Sequence, residues 1–176
     1  MDGTSSLYPQ FERYVLAGDL LQQTVSALRD ELADEVENIV FWGGRAEGST
    51  ARIDRLFVPR GDGILRHACQ IRVDESVIAA LCDFLDPPNV VLLGQVHTHL
   101  EGAFHSPTDD RFSLDTPGFL SVVVPECGRA GADDWLSWAF HVCLGSHRFE
   151  RLDEANVVKR FHVDSRSQVM VTEVRS

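Results

Sequence analysis

The chain has 176 residues, 44% of them hydrophobic and 24% charged, enough for one domain that buries roughly two thirds of its unfolded surface. Its 27 acidic and 16 basic residues leave a formal net charge of −11, which argues against a phosphate-tracking surface and so against nucleic acid as a partner. No apolar run approaches bilayer length, so no membrane span is expected.

The first ten residues, MDGTSSLYPQ, lack a basic segment followed by an apolar core, and no secretory signal is expected from them. From Leu20 to Glu35, Leu21, Val25, Leu28 and Leu32 recur at helical spacing, which predicts an amphipathic helix. The period then changes. Asn38 to Trp42 is a short continuous apolar run closed by Gly43-Gly44, as expected of a strand buried on both faces. Residues 52–59 read as a second strand and Gln70–Val73 as a short third. Val77, Ile78, Leu81, Phe84 and Leu85 predict a second helix, with Asp74 as N-cap and Pro87-Pro88 as its stop. Residues 90–96 form the most strand-like segment and run directly into His97. Three further strands are expected over 119–124, 136–143 and 147–152, with Trp135 and Trp138 as packing residues. The fold class is α/β or α+β: a single domain over residues 1–176 with a mixed central sheet and two or three helices. Its core spans about residues 20–150, and a tail follows from about 153. Cys69, Cys82, Cys127 and Cys143 show no CxxC spacing and read as small hydrophobes in a reducing, cytoplasmic compartment.

The chemistry concentrates between Val96 and Asp110. Strand side chains alternate, so His97 and His99 leave the end of a buried strand on the same side, aimed at one metal ion. Ser106-Pro107-Thr108-Asp109 reads as a helix start, with Pro107 at the first helical position and Ser106 and Asp109 on one face. Two histidines and one aspartate would leave the fourth zinc position to water, as a catalytic site requires. His105 and Glu101, in the same loop, read as solvated residues, and His67, His141, His147 and His162 as structural ones.

His97-x-His99 followed by Ser106-x-x-Asp109 resembles the JAMM motif of the JAB/MPN metalloproteases. That family also carries a glutamate upstream on a strand, commonly seven residues before a glycine, and Glu37 stands seven before Gly44. The element order is similar over about residues 20–150. Two departures are visible: Leu100 stands where the family has proline, and six residues separate His99 from Ser106 where seven are common. Counted from Ser106 the aspartate is Asp109; counted from His99 it is Asp110. The helical turn sets the first offset, which favours Asp109.

The resemblance implies Zn2+ held by His97, His99 and Asp109, with Glu37 as general base and Ser106 hydrogen-bonding the oxyanion. It also implies a substrate: the bond after the C-terminal glycine of a ubiquitin-like protein. The FHSPTDD wording is most similar to bacterial JAB proteins encoded beside E1-like, E2-like and ubiquitin-like proteins, often in antiphage defence operons. Two alternatives belong to the same resemblance: a non-catalytic scaffold that binds partner proteins, and a peptidase that trims a sulfur-carrier protein.

Overall fold

The computed structural model describes residues 11–29, 36–68, 70–87 and 89–175. In chain order its elements are β1 (Arg13–Ala17), α1 (Leu20–Arg29), β2 (Ile39–Glu47), β3 (Thr50–Arg60), β4 (Ile64–His67), β5 (Gln70–Val73) and α2 (Glu75–Cys82). There follow β6 (Val91–Thr98), α3 (Pro107–Phe112), β7 (Leu120–Val124), β8 (Ala139–Gly145), β9 (Arg148–Arg151), α4 (Glu154–Arg160), β10 (Phe161–Asp164) and β11 (Met170–Arg175).

Nine strands form one mixed sheet in the order β10-β1-β3-β2-β6-β7-β8-β9, with β11 also pairing β3; β4 and β5 form a separate hairpin. The α+β class stands. The mixture comes from parallel β1–β3, β1–β10, β3–β11 and β6–β7 pairs among antiparallel neighbours. Because β6 lies between β2 and β7, both ladders hold the strand that carries His97.

α1 packs on one face through Leu20, Leu21, Val25 and Leu28, the stripe that its spacing predicts as far as Leu28. The continuation to Glu35 lies outside the described residues. Thr24 on the same face accepts a 2.9 Å hydrogen bond from Trp42 Nε1, so the largest buried side chain meets its polar requirement inside the core. The opposite face is smaller. Val77 and Leu81 of α2 pack there with Ile39, Phe41, Phe57 and Ile64.

Several boundaries differ from expectation. α2 ends at Cys82, leaving Phe84 exposed, and Asp74 caps it without a side-chain hydrogen bond. Pro88 and Cys69 lie outside the described residues. Residues 136–138 are not strand. Ala132–Ser137 forms 3-10 turns in which Ser137 Oγ donates to the Asp134 carbonyl at 2.7 Å, and Trp138 is buried just before β8 starts. After residue 153 the chain forms α4, β10 and β11, and Phe161 stacks on Tyr14 with ring centroids 4.6 Å apart. These short segments carry too few residues to display a period, so their placement depends on the partners they meet.

Candidate metal centre

β6 delivers both histidines. His97 lies within the strand, opposite Ile39 of β2 and Val123 of β7. His99 follows it, and its backbone N–H donates to the Val124 carbonyl at 3.1 Å. Beyond β7 the chain takes left-handed backbone at Glu126 (φ 55°), Cys127 (φ 52°) and Gly128 (φ 76°). Such a conformation costs roughly 1–3 kcal/mol at each non-glycine residue and persists only where the surroundings enforce it. Here it lets Cys127 N–H reach the His99 carbonyl at 2.8 Å and Glu126 N–H reach the Glu101 carbonyl at 3.1 Å. The ladder is thereby carried past the end of β6, and His99 is held as firmly as a strand residue.

The aspartate arrives on α3. Ser106 is its N-cap, and a reciprocal capping box joins Ser106 to Asp109: Asp109 N–H donates to Ser106 Oγ at 3.2 Å, and Ser106 N–H donates to Asp109 Oδ2 at 2.7 Å. The box fixes the carboxylate rotamer, which then faces both imidazoles. Asp109 Oδ1 lies 3.3 Å from His97 Nε2, and Oδ2 lies 3.4 Å from His99 Nε2. Burial opposes ionisation of Asp109, but the two facing rings and the Ser106 N–H outweigh it and hold its carboxyl well below the usual range. Asp110 points elsewhere, with Oδ1 2.7 Å from His105 Nδ1. The chain thus brings Asp109, not Asp110, to the histidine pair.

These three residues suit a metal. One donor atom from each of His97, His99 and Asp109 lies within 4.8 Å of the other two. His97 Nε2 is buried and has no hydrogen-bond partner among the described residues, although buried polar atoms are ordinarily satisfied. Two imidazoles and a carboxylate are zinc's preferred oxygen and nitrogen donors, and a three-ligand set keeps a coordination position open.

Glu37 joins them from just before β2. Its Oε1 lies 3.9 Å from His99 Nε2, and the residue is 5% exposed. Its carboxyl is pushed up to about 7, chiefly by burial, with His99 pulling it down and Asp109 pushing it up. Glu37 N–H donates to the His67 carbonyl at 3.0 Å, which ties it to the β4–β5 hairpin. Asn38 is the residue that sequence reasoning passed over. Its backbone N–H donates to Thr98 Oγ1 at 2.8 Å, its Nδ2 to the Leu28 carbonyl at 3.0 Å, and its Oδ1 accepts from Arg66 Nε at 3.1 Å. One buried residue therefore locks the end of α1 and β4 through its side chain, and the end of β6 through its backbone, around Glu37.

A cleft of about 340 Å³ opens over this centre, lined by Glu37, Ala68, His99, Leu100, Glu101, Phe104 and Ser106. Phe104 is 51% exposed and stands edge-on to His99 at 4.8 Å between ring centroids. A larger groove of about 460 Å³ beside Arg13 and His162 lacks comparable chemistry, since its Arg52 is paired with Glu47 and Asp164.

His105 departs from expectation. Its side chain is 5% exposed and lies inside the protein, its ring against His141 and Phe149 at 4.7 Å each. Burial lowers its pKa below the ordinary histidine value, against the pull of Asp110. No periodicity or spacing could have located it, because its partners come from β7, β8 and β9. His141 is buried as a structural residue, whereas His67 contributes its carbonyl to Glu37, His162 is exposed on β10, and Glu101 is exposed at the cleft.

Comparison with known protein families finds no match, and no curated protein matches the chain. Among solved structures the fold is similar to that of protein DSY2949 from Desulfitobacterium hafniense, with a TM-score of 0.61 and 13% identity over 86% of this chain and 93% of that one. AF2198, a JAB1/MPN domain protein from Archaeoglobus fulgidus, matches over 84% of this chain and 96% of its own, with a TM-score of 0.45 and 15% identity. The likeness to the first is one of fold, and neither match carries residue roles to this chain.

Proposed function

We propose that the chain is a zinc metallopeptidase of the JAMM type that hydrolyses the bond after the C-terminal glycine of a ubiquitin-like protein, in deconjugation or maturation. A bacterial antiphage conjugation system, with E1-like and E2-like proteins, is the setting that the motif's wording favours. The observation that carries the reading is the convergence of His97, His99 and Asp109 on one point, with buried Glu37 3.9 Å from His99.

Zinc held by His97, His99 and Asp109 would supply Lewis-acid activation of a water and of the scissile carbonyl. The remaining work falls to the chain. Glu37, with its carboxyl near 7, can take a proton on Oε1 and return it to the leaving amine at neutral pH. A cation at the three ligands would draw that value down and keep Glu37 in its basic form before the reaction. Ser106 Oγ accepts from Asp109 N–H, which leaves its own hydroxyl hydrogen to donate toward the cleft, where an oxyanion would develop. Leu100 and Phe104 exclude water on one wall, and a glycine-ended tail brings no bulky side chain into the opening. The edge strands of the main sheet, β9, β10 and β11, do not pair β6, so an extended tail adding as a strand would use the β4–β5 hairpin, whose Ala68 lines the cleft.

Zinc-loaded protein is expected to cut a ubiquitin-like fusion after its terminal glycine. Glu37→Ala should lower the rate by roughly 10²–10⁴-fold while zinc stays bound. Intact fusion after prolonged incubation with zinc-loaded protein would defeat the proposal, and undiminished cleavage by the variant would remove Glu37 from it.

A further inference from the structure

We infer that His105 is the positioning residue of the metal centre: it holds α3, and with it Asp109 and Ser106, in register with the histidines of β6. The inference rests on the zinc reading above. Between His99 and Ser106 the chain has no regular structure, and beyond the Glu101 carbonyl held by Glu126 N–H it runs through exposed Gly102 and Phe104, so the loop alone does not set the position of α3. α3 has six residues, too short to persist without tertiary support.

His105 supplies that support from inside. Its Nδ1 lies 2.7 Å from Asp110 Oδ1 and its Nε2 2.9 Å from Ser121 Oγ on β7. A carboxylate can only accept, so Nδ1 carries the hydrogen and Nε2 accepts from the Ser121 hydroxyl. Gln95 of β6 donates to Ser121 Oγ at 3.3 Å and to Ser113 Oγ at 2.7 Å, and Ser113 is the C-cap of α3. The helix that bears Asp109 is thus tied to the sheet at both ends, by His105 through Asp110 at its start and by Gln95 through Ser113 at its finish.

The same ring backs His97. A metal-binding imidazole usually donates its second nitrogen to a carboxylate or carbonyl, which sets its orientation. His97 Nδ1 is buried and has no such partner among the described residues. Its ring is instead flanked by His99 at 5.0 Å and His105 at 6.4 Å between centroids. Packing against His105 takes over the orienting task that a hydrogen bond would normally perform.

The test is zinc affinity, measured by competition with a chromogenic chelator, alongside the thermal midpoint of the zinc-free protein. His105→Ala and Asp110→Ala should each weaken zinc binding by about 10–100-fold. Asp110→Asn, which keeps an acceptor for Nδ1–H, should stay near wild type. Val157→Ala, a buried change on α4 remote from the loop, should lower the midpoint and leave zinc affinity unchanged. If His105→Ala fails to fold, the Asp110 pair decides, since that side chain is half exposed and its loss spares the core. Wild-type affinity in both alanine variants, or an equal loss in Val157→Ala, overturns the role of His105. A wild-type protein that takes up no zinc would defeat the zinc reading itself.

Discussion

His141 shows how one residue beside the centre couples its burial to pH. It is 4% exposed on β8, and its Nδ1 has no partner among the described residues. Burial first, and then the neighbouring His105, lower its pKa from 6.5 to about 4. The sign follows from linkage. Above 6.5 the ring is neutral in both states and nothing is lost; as pH falls from 6.5 toward 4 only the unfolded chain takes up the proton, so stability drops; below about 4 the loss is complete. His105 shifts in the same direction. The thermal midpoint of zinc-free protein should therefore fall between pH 6.5 and 4, and His141→Gln should flatten part of that fall. Parallel pH curves for the two proteins would assign the loss to other groups.

At the scale of elements, β2 has to serve two neighbours of unequal stagger. Its register slips against β3 between Gly43 and Gly44 and against β6 between Trp42 and Gly43. The bulge needs a residue without a side chain, because a Cβ on Gly44 would meet the Arg52 carbonyl oxygen at 1.9 Å. Backbone cannot give way as a flexible side chain can. Gly44→Ala should cost about 1–3 kcal/mol in a denaturant titration, in the range of an overpacked core site. The bulge lies in the middle of β2, beyond the Ile39–Phe41 stretch that follows Glu37 and Asn38, so zinc affinity in the surviving folded fraction should hold. The glycine pair was legible as the end of an apolar run, but its role as a bulge was not, since a register shift exists only relative to a partner strand.

For the whole molecule, the residues after 153 decide whether the sheet is complete. β10 covers β1 and β11 covers the second half of β3, and Phe161, Val157 and Val174 are each at most 4% exposed. Burying three such side chains contributes about 5–9 kcal/mol at about 1.5–3 kcal/mol each, against a total stability of about 5–15 kcal/mol for a typical domain. Deletion of residues 153–176 should therefore leave a chain without a cooperative thermal transition, which circular dichroism would report. A truncated protein that melts cooperatively near the wild-type midpoint would show these strands to be accessory.

Local signals were sufficient where a single segment carries its own physics. The stripe of α1, the buried run of β6, the alternation that sends His97 and His99 to one side, and the Ser106–Asp109 capping pair all depend on neighbours within four residues. The prior pattern of the motif placed Glu37, sixty residues from His97, where no local signal reaches it. The helical-turn offset already favoured Asp109, but only the tertiary structure brings it, and not Asp110, to the rings; the inward turn of His105 and the anchoring by Asn38 belong to tertiary structure alone. Each is a contact between elements far apart in the chain, and the geometry that selects one carboxylate over its neighbour exists only once the sheet has brought β6, β7 and α3 together.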